Sequence, residues 1–338
     1  MSFRKNGLTG NKILTAKAIS LFSGGLDSIL AVKVIQDQGI SVQGVTFETP
    51  YFNARKALET SRHIQLPLLV VDITDSHLAM LKAPRYGYGK NMNPCIDCHT
   101  LMLSGAGKIM EETGADFLFT GEVLGQRPMS QTRQSLYIVA KNSGYADYII
   151  RPLSAQLLDE TRPEQEGKVN RKQLLAIQGR GRKVQMAMAI TYGIHYYPPP
   201  AGGCLLTDPM FSRRLKDLFS RDPEHAVRDI ELLKYGRHFR IGESVKIIVG
   251  RNQKDNEALQ KLIRDGDTVV SMNQLPGPLV MIPGGGNEEV VKNAAQLCVL
   301  YSDAPENEKG IVNITRAGQS HLASFSPANR SDATEWII

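Results

Sequence analysis

Short β-rich runs alternate with amphipathic stretches through the first 150 residues, and this alternation narrows the fold more than any other feature of the chain. Residues 17–22 (KAISLF) form a short apolar run. A glycine-rich turn follows, then residues 26–38, where Leu26, Ile29, Leu30, Val32 and Val34 recur at helical spacing. Residues 41–47 read as a strand, 53–63 as a helix, 66–71 as a strand, 100–113 as a helix and 117–120 as a strand. Strands alternating with helices build βαβ units, so the expected fold is α/β, with a doubly wound parallel sheet covered on both faces. Ligands of such sheets sit at the carboxyl ends of the strands. The residues just after Phe22, Phe47 and Thr120 are therefore the place to look.

A chain of 338 residues has room for two domains, or three. The α/β unit is assigned to residues 17–150 and a helical segment completing it to 151–235. In that segment 171–178, 182–192 and 211–235 have helical patterns, the last broken near Asp222-Pro223, and 195–206 is a proline-rich loop. From 236 to 338 the texture changes to that of a small α+β domain. Its expected strands are 244–249, 268–271, 279–282 and 311–315, and its expected helices 252–264 and 288–301. The last dozen residues are polar and expected to be loosely ordered, unless Trp336-Ile337-Ile338 dock. No run of 18 apolar residues exists, which excludes a membrane-spanning helix. The N-terminal stretch lacks the apolar core of a signal peptide, so a cytoplasmic location is expected, and four cysteines are too few for a disulfide framework.

The strongest local signal is Ser23-Gly24-Gly25-Leu26-Asp27-Ser28, after a strand and at the start of a helix. Two glycines let backbone approach a phosphate, and helix-start amides point outward with the dipole behind them. Ser23 and Ser28 add hydroxyl donors, and Asp27 can hold Mg2+ or a phosphate-bound water. The pattern is neither a Walker loop nor GxGxxG, and its bland alternative is a Gly-Gly turn capping a helix. The second signal is Cys95-Ile96-Asp97-Cys98 together with the distant Cys204. Thiolates are soft ligands, and three of them can hold a [4Fe-4S] cluster with one iron left open to exogenous sulfide. Redox or sulfur-relay thiols, and a three-cysteine zinc site completed by His99 or Asp97, are the rivals. Cys298 sits among Ala294, Ala295, Leu297 and Val299 and reads as a core residue.

The third signal is Thr120-Gly121-Glu122-Val123-Leu124-Gly125-Gln126, followed by Ser130-Gln131-Thr132. SGGLDS resembles the pyrophosphate loop of the ATP-pyrophosphatase superfamily, and with it TGEVLGQ…SQT resembles the tRNA 4-thiouridine synthases. Asn93-Pro94-Cys95…Cys98 is similar to the NPCxxCN stretch of the tRNA 2-thiouridylases, with His99 in place of Asn. The spacing of Cys95, Cys98 and Cys204 is more similar to the iron–sulfur-dependent tRNA thiolases than to the persulfide-relay enzymes. Only about sixteen residues precede the loop's strand, where the 4-thiouridine synthases carry an RNA-binding region. The stretch Val249-Gly250-Arg251-Asn252…Asn256-Glu257 resembles the NFACT-R RNA-binding domain, an appendage that could substitute for it.

These resemblances imply an adenine nucleotide α-hydrolase-like fold and an ATP-dependent tRNA sulfurtransferase. A uridine carbonyl would be adenylated and its oxygen then replaced by sulfur. The implied cofactors are ATP, Mg2+ and a [4Fe-4S] cluster on Cys95, Cys98 and Cys204. Asp27 and these three cysteines are the catalytic candidates; Ser23, Gly24, Gly25, Asp27, Ser28, Phe47 and Gly121 are the nucleotide-binding candidates. The expected partners are tRNA and a sulfur donor (sulfide or a cysteine desulfurase system), with a homodimer left open.

Charge agrees with an RNA partner. The formal net charge is +6, and residues 171–216 hold eight Lys/Arg against one acid. The RNA-contact candidates are Arg133, Arg180, Arg182, Lys183, Arg213, Arg214 and Arg251. Residues 236–338 hold eleven basic against twelve acidic residues, so RNA binding there needs a local patch such as Arg237, Arg240, Lys246 and Arg251. Tyr196-Tyr197 could stack on a flipped base or simply pack around the loop. The rival functions are a small-molecule amidotransferase or ligase with structural zinc, and a non-catalytic RNA-binding protein that keeps an ATP fold.

Overall fold

The structure is a computed structural model that describes residues 16–199, 203–242, 245–306 and 308–338. It divides into two compact units, one ending at Cys204 and the other spanning Leu205–Ile338. The first unit is built on five parallel strands: β1 (Lys17–Leu21), β2 (Ser41–Glu48), β3 (Leu68–Asp72), β4 (Phe117–Thr120) and β5 (Ile149–Ile150). Their spatial order is β3-β2-β1-β4-β5. The connecting helices are α1 (Leu26–Gln36), α2 (Arg55–His63), α3 (Thr74–Lys82), α4 (Cys95–Thr113) and α5 (Arg133–Ser143). The short α6 (Arg162–Gln165) and then α7 (Lys183–Thr191) follow.

Alternation along β4 shows how both faces are filled. Phe117 and Phe119 join Leu26, Ile29, Leu30 and Val34 of α1 on one side. Leu118 joins Ile19, Val45, Leu103 and Met110 on the other. The doubly wound parallel sheet is thus as expected. Its strand order reverses between β1 and β4, whose last residues, Leu21 and Thr120, are register partners. Such a reversal leaves a crevice at the strands' carboxyl ends, where a ligand can bind.

The second unit carries a six-stranded antiparallel sheet, in the order β11-β10-β8-β9-β7-β6. Its strands are β6 (Arg237–Ile241), β7 (Val245–Val249), β8 (Thr268–Met272), β9 (Val280–Ile282), β10 (Gly310–Arg316) and β11 (Gln319–Phe325). Its helices are α8 (Pro209–Arg221), α9 (Val227–Leu232), α10 (Gln253–Lys261), α11 (Glu288–Leu300) and α12 (Arg330–Trp336). Ala294, Leu297 and Cys298 of α11 pack on Val270, Val280 and Val312, which places Cys298 in the core as expected.

Several expectations need correction. Helices α8 and α9 group with the C-terminal unit rather than completing the first one. Side-chain bonds hold them there: Arg214 donates to the carbonyls of Leu233 and Gly236, and Arg228 pairs with Asp267. Residues 171–178 form only a single 3-10 turn (Arg171–Gln173), because the amides of Leu175 and Ile177 donate to the carbonyls of Pro152 and Leu153. The C-terminal residues are ordered: α12 forms, and Ile338 N donates to His238 O. Ser244 and residues 200–202 lie outside the described residues.

Candidate active site

The loop Ser23–Ser28 leaves β1 at the reversal point and opens α1. Gly24 adopts φ +75° with α2 lying against it, and a Cβ there would come within 2.7 Å of Lys56 O and 2.8 Å of Ala57 Cα. Only glycine fits this turn. The Ser28 hydroxyl donates to Gly25 O at 2.8 Å, and Ile29 N makes the first intrahelical bond, also to Gly25 O. Amides ahead of that bond have no helical acceptor, which is the property an anion site uses.

The strand-end segment after β4 lies directly on this loop. A Cβ on Gly121 would approach Ser28 N to 2.5 Å, so Gly121 permits the close approach of two backbones. Asp27 is turned by a side chain from the same segment: Gln126 Nε2 donates to Asp27 Oδ2 at 2.8 Å, and Gln185 Nε2 of α7 donates to Gln126 Oε1 at 3.4 Å. The second carboxylate oxygen, Asp27 Oδ1, is buried without a partner among the described residues. A buried acceptor left unpaired is costly, and a metal ion or phosphate-bound water would satisfy it.

Glu122 joins the strand-end segment to the cysteine helix. It accepts from Arg151 Nε, His99 Nδ1 and Thr120 Oγ1, each at 3.0 Å. Burial alone would raise its pKa, but Arg151 and His99 hold the carboxyl down to about 2. Cys95 and Cys98 lie in the first turn of α4, not in a loop before it. The Asn93 amide donates to Cys95 Sγ at 3.3 Å. Cys98 Sγ meets Nε2 of the fully buried His77 at 3.5 Å. Burial holds that imidazole down to about 4, so it is neutral at pH 7.

Burial pushes the Cys98 thiol well up, and the charges of Cys204 and Cys95 add to the effect. Cys204 is therefore folded into the electrostatic neighbourhood of the other two. Neither proposed fourth ligand is available. Asp97 accepts from the amides of Arg85 and Tyr86 at 3.1 and 3.0 Å, and His99 is tied to Glu122. Among the described residues no three His, Cys, Asp or Glu side chains converge as a single metal ion requires. Cysteines of a [4Fe-4S] cluster bind different irons and need not converge on one point. The three thiols thus suit a cluster in number and type, and do not suit one tetrahedral zinc.

Residues 14–159 match the family described as thiamine biosynthesis protein (ThiI), and residues 236–337 match the family described as NFACT protein RNA binding domain. The two matches fall on separate stretches of the chain, the first within the unit that ends at Cys204 and the second within Leu205–Ile338. A probable tRNA sulfurtransferase of Thermoanaerobacter sp. (strain X514) is 32% identical over 148 residues, 40% of this chain and 36% of that protein. A tRNA-specific 2-thiouridylase MnmA of Syntrophotalea carbinolica is 27% identical over 169 residues, 43% of this chain and 48% of that protein. The chain spans about a third of the length of the sulfurtransferases it matches. A solved structure titled as a 4-thiouridine synthetase–RNA complex with bound ATP aligns with 64% of this chain and 52% of its own at 23% identity, TM-score 0.37.

In the first unit, the Phe47 ring is buried against Gly105 in the core, so its backbone and not its ring faces the strand end. The Tyr196 ring lies tilted against His63 at 4.5 Å and stays 42% exposed. Arg180 and Lys183 are exposed, and Arg133 is exposed with Nη2 donating to Leu157 O at 2.7 Å. In the C-terminal unit Arg213 is exposed, but Arg214 is buried and structural.

The basic patch expected in residues 236–338 is largely occupied. Arg240 pairs with Asp217, Arg251 pairs with Asp255 at 2.6 Å, and Arg237 lies over the Tyr301 ring at 4.6 Å. Lys246 is held down to about 8 by burial. The motifs missed Gln185, His77 and Arg151, and contained Gln126 without assigning it a role. Their only sequence signals were polar residues at strand ends or on otherwise apolar helices.

Proposed function

We propose that this protein is an ATP-dependent tRNA sulfurtransferase that converts a uridine carbonyl to a thiocarbonyl. The observation that carries the reading is Asp27, held at one oxygen and unpaired at the other, in the SGGLDS loop at the sheet's reversal point. The ThiI match over 14–159 and the tRNA sulfurtransferase relatives support it.

The uridine oxygen attacks the α-phosphate, an O–P bond forms, and the bond to the β-phosphate bridging oxygen breaks to release pyrophosphate. Ser23, Ser28 and the first-turn amides of α1 bind the departing phosphates, offsetting the charge that develops on them. Asp27 Oδ1 would hold Mg2+, which would supply positive charge against the departing phosphates. A sulfur nucleophile then adds to the activated carbon, and the C–O bond breaks to expel AMP. Adenylation is needed because an amide-type oxygen is otherwise a poor leaving group. Cys95, Cys98 and Cys204 would hold a [4Fe-4S] cluster, which supplies an iron without a protein thiolate, where sulfide can bind.

Residues 236–337 would supply tRNA affinity, as the description of the family they match suggests. Among the described residues no helix is long and apolar enough to cross a membrane. The test is pyrophosphate release from ATP with and without tRNA. Release that depends on tRNA supports the reading. Release indifferent to tRNA favours a small-molecule ligase.

A further inference from the structure

Arg182 caps the N-terminus of α7, and its Nε is buried without a partner. No hydrogen bond or ion pair joins its guanidinium to any described residue. The residue is partly exposed, but an Nε cut off from water without an acceptor is unfavourable, and the position suits an anion from outside the chain. Its surroundings identify that anion. Gln185, three positions on, shares the face of α7 that Arg182 occupies and reaches Asp27 through Gln126. The segment entering α7 is also laced to the strand-end segment after β4, where Gly179 N donates to Leu124 O at 2.7 Å. The orphaned guanidinium and the orphaned Asp27 Oδ1 therefore belong to one corner of the first unit, the corner where the phosphate loop begins.

We propose that Arg182 binds the phosphate chain of ATP rather than RNA, with Gln126 and Gln185 as positioning residues. They fix Asp27 through Oδ2 and leave Oδ1 to the metal or water on the same phosphates. This rests on the ATP-site reading above. A guanidinium fork can meet two phosphate oxygens at once, pairing charge with the leaving pyrophosphate.

The test uses the full chain. R182Q should weaken ATP binding by about tenfold to a hundredfold, as loss of a charged hydrogen-bond partner does. R182K should recover part of that loss, while tRNA affinity and its salt dependence stay within about twofold. Phenylglyoxal labelling of the wild type gives a readout free of folding effects: ATP and pyrophosphate should protect Arg182, and tRNA alone should not. Q126L should cut the rate of pyrophosphate release by roughly tenfold or more, with KM for ATP within about threefold, because orientation and not charge is lost.

Retained ATP affinity in R182Q overturns the Arg182 assignment, and a salt slope shallower by about one marks an RNA phosphate contact instead. Labelling that ignores ATP overturns the assignment as well. Wild-type release by Q126L alongside a dead D27N overturns the positioning role alone. Wild-type release by D27N overturns the ATP-site reading itself.

Discussion

Replacing Glu122 by Gln removes a buried charge that three partners hold in place. Arg151, itself 7% exposed in its side chain, would face a neutral amide beside the Leu136 carbonyl, and only one of Arg151 and His99 would keep an oxygen acceptor at position 122. Breaking one side of such a buried pair costs about 3–5 kcal/mol, because the remaining charge is left uncompensated. Linkage gives a similar figure independently. A carboxyl that titrates near 2 when folded and near 4.5 when unfolded contributes about 3 kcal/mol at neutral pH, at ~1.4 kcal/mol per pH unit.

The sign follows from the depressed value. This stability is fully present above pH 4.5 and is lost as the pH falls towards 2. Urea unfolding followed by circular dichroism should therefore show Glu122→Gln weaker than wild type by about 3 kcal/mol at pH 7, with the gap narrowing below about pH 4. Trp336, the single tryptophan, lies in the second unit, so its emission identifies that unit's transition and leaves the other to the first. A difference under ~1 kcal/mol at pH 7, or one independent of pH, would refute the reasoning.

Asp27→Asn should abolish pyrophosphate release while tRNA affinity, measured by filter binding, stays within a few-fold. A chain cut after Cys204 should keep its ATP unit folded and lose tRNA affinity by about tenfold or more in the same assay, since binding energy comes from phosphate contacts elsewhere. A cut at residue 236 should behave worse, because it strands Arg214 without the Gly236 carbonyl and α8 without its sheet; limited proteolysis would show cleavage within 209–232. Each of Cys95→Ala, Cys98→Ala and Cys204→Ala should lose iron after anaerobic reconstitution. Cys298→Ala should keep it, as that thiol is sequestered in a helix core with Pro278 O as its neighbour.

The first four strands could be read from sequence where apolar runs are bounded by turns, and the loop Ser23–Ser28 where two glycines join a strand to a helix; the two-residue β5 was not legible. These signals are local. Strands β6 and β11 were not legible, because polar residues such as His238, Arg240, Gln319 and Ser320 interrupt the apolar pattern. The helical pattern at 171–178 failed because backbone pairing with 152 and 153 took its amides, a tertiary bond no periodicity encodes.

The candidate site divides the same way. Asp27 and the three cysteines stand in recognisable motifs. The cluster of Glu122, His99 and Arg151, and the chain from Gln185 through Gln126 to Asp27, join positions that only the parallel sheet brings together. The basic residues misled in part. Arg214 of the basic stretch, and Arg240 and Arg251 of the C-terminal patch, direct their charge at the protein's own carbonyls and carboxylates.

The most direct test of tRNA sulfurtransferase activity is mass spectrometry of nucleosides from unmodified tRNA incubated anaerobically with the iron-reconstituted protein, ATP, Mg2+ and sulfide. The account predicts a uridine carrying sulfur in place of oxygen, formed only when ATP is present and absent with the Asp27→Asn variant. Sulfur-free uridine despite bound iron and tRNA-stimulated pyrophosphate release would contradict it.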